Sequence, residues 1–245
     1  MSGTGGLHRQ VTRRQPRKAV WRMPLNFFEE WFREHGRSFP WREEGVSPFH
    51  LLVTEMLLRQ TRAMQVARLW RAFVERYPDP DSILDTDPEH LFEEVRELGF
   101  GNQRVEALRS ASRYLLDHHD GEVPQGKEEL LAVPHVGLYI AHALLCFAFE
   151  EAVPVVDTNI LRLFARLEGK EVPQPDIRRN PWVWDMARDL VSPKPPRAER
   201  HNYGLLDFTA QVCKPRSPQC ERCPLADGCA YGTARLSGKE PTSPW

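Results

Sequence analysis

Residues 213–229 read CKPRSPQCERCPLADGC, four of the chain's five cysteines within seventeen positions. The spacing Cys213-x6-Cys220-x2-Cys223-x5-Cys229 puts soft thiolate donors on a loop rich in proline. Short spacers of this kind let all four sulfurs converge on one centre while the backbone turns around it. In a reducing compartment such clustering reads as metal binding rather than as disulfides. Zinc and an iron–sulfur cluster both accept four cysteines, and the spacing alone selects neither. Cys146, alone in ALLCFAF, reads instead as a buried core thiol.

Upstream of this loop the composition is that of an ordinary globular protein, 245 residues with 41% apolar and 27% charged side chains, enough to bury a sizeable core. No apolar run approaches the roughly 18 residues of a membrane span, and the basic amino terminus lacks the apolar stretch of a secretory signal. A soluble, cytoplasmic protein with no membrane partner is expected, nucleoid-associated if the source is prokaryotic. The net charge of −1 hides an uneven distribution. Arg9, Arg13, Arg14, Arg17, Lys18 and Arg22 occur with no acid among the first 22 residues, so residues 1–23 read as a disordered basic arm, with a solubilising tail as the alternative.

From Pro24 the pattern is helical nearly throughout. Apolar periodicity covers roughly 49–77, 87–97, 102–118, 137–149, 159–168, 182–191 and 199–212, and Phe28, Trp31 and Phe32 share helical spacing before Gly36. Proline and glycine clusters separate these stretches. Val153-Pro154-Val155-Val156 is the one β-like run and is too short to found a sheet. The fold class is therefore all-α.

The cysteine loop takes on meaning beside six other segments. FPWR (39–42), LLVTEMLLRQT (51–61), LGFGNQRVEAL (98–108), VPHVGLYIAHAL (133–144), VVDTNILRL (155–163) and NYGLLDF (202–208) precede it in order. Together they resemble the endonuclease III and MutY group of helix-hairpin-helix DNA glycosylases, whose 6-2-5 cysteine loop holds a [4Fe–4S] cluster. The resemblance implies a six-helix barrel domain with a helix-hairpin-helix motif, residues 48–152. That domain is inserted into a second helical domain, 24–47 plus 153–231, which carries the cluster loop; residues 232–245 form a tail. Cys213, Cys220, Cys223 and Cys229 become the cluster ligands, and Lys214, Arg216 and Arg222 face DNA phosphates. The hairpin VPHVG puts His135, Val136 and Gly137 at a phosphate site, with His135 where the family's Leu-Pro-Gly-Val-Gly has its first glycine.

Three residues then draw attention. Glu55 is flanked by Leu51, Leu52, Val53, Met56, Leu57 and Leu58, so it either occupies a cavity or lies on the one wet face of its helix. Burial would raise its pKa toward that of a general acid, and the resemblance implies protonation of the leaving base. Asp157 stands at a helix start, where an aspartate is a routine cap; the resemblance adds stabilisation of positive charge on the sugar. Tyr139, 18 residues before Asp157, could be a core aromatic on the face of Ala143 and Cys146. It occupies the position of the endonuclease III lysine that forms a Schiff base, a step closed to tyrosine. The expectation is a monofunctional glycosylase with weak or no lyase activity.

The substrate implied is double-stranded DNA with a mismatched or damaged base, flipped out of the stack by a monomeric enzyme. Gln60 and Phe100 fall at plugging and wedging positions, and Arg59, Ala63 and Tyr203 at the base pocket. The group's adenine glycosylases carry Gln-Gln-Thr-Gln-Val where this chain has Arg59-Gln60-Thr61-Arg62-Ala63, and only 16 residues follow Cys229. GFGNQR, Ala63 and NYGLLDF are closer to the thymine glycosylases of T/G mismatches. Thymine, and with it uracil, opposite guanine is the expected target. The alternatives are an adenine glycosylase lacking its C-terminal domain and a non-enzymatic DNA-binding module.

Overall fold

The computed structural model describes residues 24–192 and 194–242. The basic arm read over 1–23 lies outside them. The described residues form α-helices and short 3-10 turns and no strand. In order these are α1 (Phe27–His35), α2 (Pro48–Leu58), α3 (Ala63–Arg76), α4 (Pro80–Asp85), α5 (Pro88–Val95) and α6 (Gly101–His119). They continue with α7 (Lys127–Ala132), α8 (Leu138–Phe147), α9 (Thr158–Glu168), α10 (Pro181–Leu190), α11 (Pro195–Gln211) and α12 (Ala230–Leu236). The apolar stretch 49–77 is two helices, broken at Arg59–Arg62, where Gln60 takes a left-handed backbone (φ 53°). No glycine or proline marks that break in the sequence. The short helices α4 and α7 also escape periodicity, being six residues each.

Two hydrophobic cores organise the molecule. The first gathers Phe49, Leu52, Leu57, Phe73, Leu91, Leu108, Leu115 and Leu144, with α2 packed against α3, α6 and α8. Phe39 and Trp41, ahead of α2, join it. The second gathers Phe28, Trp31, Phe164, Val183 and Phe208, with α9 in contact with α10, α11 and α12. Fully burying aromatics such as Phe28 and Phe208 stabilises by about 2–3 kcal/mol each. The α1–α11 contact is close because of Gly204, where a Cβ would lie 2.0 Å from the Phe28 carbonyl oxygen. Ala143, Cys146 and Val155 form a small cluster between the two cores, with Tyr139 packed against it.

Helices buried on nearly every side carry the residues of interest. In α2 every residue from Leu51 to Leu57 is buried, in α8 every residue from Ile140 to Cys146, and in α9 every residue from Ile160 to Leu167. Ser47 starts α2, accepting the His50 amide at 3.1 Å ahead of Pro48. No helix of the described residues is long and apolar enough to cross a membrane.

Candidate active site and cluster loop

Because α2 is buried all round, Glu55 has no wet face to occupy. It is 8% exposed, and its Oε2 is buried without a hydrogen-bond partner. Burial pushes its pKa up to about 7, with the nearby Asp157 adding to the rise; a hydrogen bond from Tyr139 and the charge of Arg42 oppose it. Tyr139, on the first turn of α8, is held well above the ordinary phenol range by burial and then by the negative charge of Glu55 and Asp157. Asp157 caps α9: its Oδ1 accepts the Ile160 amide at 2.8 Å and its Oδ2 accepts Asn159 Nδ2 at 2.6 Å. Burial raises Asp157 too, but these two bonds favour its anion and work against the rise. Two carboxyl groups thus lie within electrostatic reach of each other in unlike settings, one orphaned and one hydrogen-bonded, the arrangement that separates an acid from a carboxylate.

Beside this trio lies a cavity of about 450 Å³ lined by Trp41, Arg42, Leu51, Phe147, Glu199 and Tyr203, among others. Asp207, fully buried, takes Arg42 Nη1 at 2.8 Å and Nη2 at 3.0 Å, as well as the Arg37 amide at 2.7 Å. Burial alone would raise the Asp207 pKa, but the two arginines hold it below the usual carboxylate range. Arg42 Nε is left buried and unpartnered. The Tyr203 ring is stacked on Phe147 at 4.1 Å, with the Arg42 guanidinium 4.2 Å from its centroid. Tyr203, expected at the base pocket, lines this cavity. Arg59, Gln60 and Phe100 belong to two loops joined by a 2.8 Å bond from Thr61 Oγ1 to the Leu98 carbonyl, and Ala63 opens α3. Gln60 and Phe100 are exposed there, while Ala63 packs against the first core.

The hairpin between α7 and α8 forms despite His135, which adopts φ 65°. His135 and Gly137 are exposed. Val136 is buried, and its amide donates to the Val133 carbonyl at 3.1 Å. The Val136 amide thus closes the turn of the hairpin. Lys214 is half-buried, and Arg216 and Arg222 are exposed, on the cluster loop.

Cys213, Cys220, Cys223 and Cys229 all line one cavity beside α9. Burial pushes the Cys223 and Cys229 thiols up to about 11, a cost that coordination to a metal would remove. Donors for thiolate sulfur are in place: Arg166 Nη1 lies 3.4 Å from Cys213 Sγ, and the Gly232 amide 3.3 Å from Cys229 Sγ. The residues fit a thiolate-bound group. Arg166 also donates to the Lys214 and Pro215 carbonyls at 2.7 and 2.8 Å, fixing the loop to α9. Arg162 bridges the Cys213 carbonyl and Asn159 Oδ1, both at 2.8 Å. The sequence reading missed these two arginines, although two charges four residues apart on an otherwise apolar helix mark a shared buried partner. It also gave no role to Arg42 and Arg104. Cys146 is the core thiol expected, buried, pushed up to about 12, and accepting Asn202 Nδ2 at 3.2 Å.

Comparison with known proteins agrees with this architecture. Residues 53–180 match the family model described as "HhH-GPD superfamily base excision DNA repair protein", and residues 213–229 match the iron-sulfur binding domain of endonuclease III. The chain is 35% identical to a thymine-DNA glycosylase of Aeropyrum pernix, over 82% of this chain and 91% of that protein. It is also 35% identical to an adenine DNA glycosylase of Mycobacterium tuberculosis, over 82% of this chain and 65% of that one. The solved structure of a thermostable thymine-DNA glycosylase superposes with a TM-score of 0.75 at 30% identity, covering 85% of this chain and 94% of that one. The chain belongs to the HhH-GPD superfamily of base excision DNA repair proteins, as a DNA glycosylase that carries an iron–sulfur cluster.

Proposed function

We propose that the protein is a monofunctional glycosylase that excises thymine, and uracil, opposite guanine in double-stranded DNA, acting as a monomer. The observation that carries the reading is the Glu55–Tyr139–Asp157 trio, in which a carboxyl near neutral pKa with an unpartnered oxygen lies near a hydrogen-bonded carboxylate. A flipped base in the adjoining cavity, which Arg42 lines, would satisfy the orphaned Arg42 Nε as a donor to a pyrimidine carbonyl. Uracil lacks only the methyl group of thymine, so a pocket that takes one accepts the other.

Protonated Glu55 donates its proton to the departing base as the bond from C1′ to the base nitrogen breaks, and the bonding electrons leave with the base. Asp157 stabilises the positive charge left on the sugar and orients the water that attacks C1′. The proton released by that water returns to the carboxylate of Glu55. Tyr139 orients Glu55 and offers no amine, so the product is an intact abasic site. The name of the Aeropyrum relative and of the superposed structure supports thymine. The Mycobacterium relative supports the second reading, adenine.

The cofactor in this reading is a [4Fe–4S] cluster held by Cys213, Cys220, Cys223 and Cys229. Four sulfurs ring one cavity, and residues 213–229 match the iron-sulfur binding domain of endonuclease III, which supports a cluster over zinc. The cluster supplies structural cross-linking of the loop and no step of the reaction. Division into 48–152 inserted in 24–47 plus 153–231 accords with the two hydrophobic cores, although Phe39 and Trp41 pack with the first. A panel of labelled duplexes bearing T·G, U·G, A·G and A·8-oxoguanine pairs, each treated with alkali, tests the function. Breaks at thymine and uracil only after alkali are expected; excision of adenine alone would establish the second reading.

A further inference from the structure

We infer that Arg104 is a positioning residue that locks the Gln60 loop and the Phe100 loop into one rigid element for opening the duplex. Arg104 is 5% exposed on α6, and its guanidinium donates to backbone carbonyls and one hydroxyl. Its Nε donates to the Gly99 carbonyl at 2.8 Å. Its Nη1 donates to the Met56 and Leu57 carbonyls, each at 2.9 Å. Its Nη2 reaches the Arg59 carbonyl at 2.7 Å, the Leu98 carbonyl at 3.2 Å and Thr61 Oγ1. One guanidinium thus gathers the last turn of α2, the loop that bears Gln60 and the turn that bears Phe100.

The charge is accommodated because the Met56 and Leu57 carbonyls lie in the last turn of α2, where the helix dipole is negative. Only the planar fork of arginine fits these acceptors, since a lysine ammonium offers three donors from one point. What the fork fixes is strained and exposed. Gln60 and Phe100 both adopt left-handed backbones, φ 53° and 55°, without being glycine, and Phe100 is 55% exposed. A bulky apolar side chain held outward on a strained turn has no packing reason to be there. An exposed aromatic beside a DNA-processing cleft is suited to enter a base step. Arg104 touches neither the cleft nor solvent, so its effect passes through the two loops.

The inference rests on the glycosylase reading but not on which base is removed, and the test separates the two. Hydrogen–deuterium exchange on the free protein needs no substrate. In Arg104→Lys, peptides over 58–64 and 97–103 should lose protection together, while those over 157–168 and 203–211 stay as in wild type. Single-turnover excision is then compared for uracil in a U·G duplex, thymine in a T·G duplex and uracil in a single strand. The variant should lose about tenfold or more on duplex, the scale of a small misplacement of positioning groups, and under twofold on the single strand, where nothing has to be opened. Adding Arg104→Lys to the Gln60→Ala/Phe100→Ala protein should cost less than a further twofold. Unchanged loop protection, or an equal loss on duplex and single strand, overturns the inference. Failure of wild type to act on any pyrimidine overturns the thymine reading instead and leaves the exchange result to decide the role of Arg104.

Discussion

Asp157 and Cys213 are joined through two side chains. Asp157 Oδ2 accepts Asn159 Nδ2, Asn159 Oδ1 accepts Arg162 Nη1, and Arg162 Nη2 donates to the Cys213 carbonyl, with distances of 2.6, 2.8 and 2.8 Å. The cap that orients the carboxylate is thereby tied to the first cysteine of the cluster loop. Each link is a positioned hydrogen bond in a buried setting, where an unpaired partner costs roughly 1–3 kcal/mol.

Arg162→Met therefore leaves Asn159 Oδ1 and the Cys213 carbonyl without their donor. We expect a lower melting temperature, faster bleaching of visible absorbance on exposure to chelator, and slower single-turnover excision. A variant that loses its cluster faster but keeps the wild-type excision rate would limit the relay to scaffolding.

Glu55 sets the pH dependence. Its folded pKa of about 7 stands above the ordinary 4.5, so the folded state holds a proton that the unfolded chain has released between those values. The stability linked to this group is complete below pH 4.5 and falls as pH rises through 7, by about 3 kcal/mol at the plateau. Glu55→Gln should abolish that decline and make the protein more stable than wild type at pH 8, while excision drops by two orders of magnitude or more. Wild-type excision should fall as pH rises through 7. Denaturant titrations at pH 5 and pH 8 check the first claim. Equal stability of both proteins at pH 8 would contradict a raised pKa.

Much of this site is legible in the sequence, for identifiable reasons. Thiolate spacing and the capping position of Asp157 are local, and Glu55 within an apolar run poses a choice that burial of α2 on all sides resolves. What is not legible depends on contacts between distant residues or on backbone strain. Arg42 is fixed by Asp207, 165 positions away, and the break at Gln60 has no glycine to announce it.

The cluster loop makes a compositional prediction. Purified protein should be brown and hold about four irons per chain, with broad visible absorption that bleaches on oxidation or reduction. Cys220→Ala, removing a ligand from the middle of the loop, should lose most of the iron. A colourless protein with one zinc would displace the [4Fe–4S] assignment and leave the catalytic cleft untouched.

Tyr139 decides what happens after the base has gone. It lies close enough to Glu55 to lower that group's pKa, and it packs against the Ala143–Cys146–Val155 cluster, which holds the side chain beside the two carboxyl groups. A phenol cannot form an imine with the opened sugar. Wild type should leave an abasic site that breaks only after alkali, and borohydride should trap little covalent complex. Tyr139→Lys places a primary amine on the same wall, near two carboxyl groups that also bias it toward its charged form. Trapping should therefore appear and grow as pH rises and more amine is free. Asp157→Asn in either background should suppress excision by about 10²–10³-fold, since the neutral amide removes the charge that stabilises the sugar cation. Asparagine can still cap α9 through one oxygen but cannot also accept Asn159 Nδ2, so the loss should come with about 1–3 kcal/mol of stability, read from denaturant midpoints and too small to account for the fall in excision. Efficient trapping by wild type that persists in Tyr139→Phe would mean that another amine reaches the sugar, and the active site would then have to be sought elsewhere in the molecule.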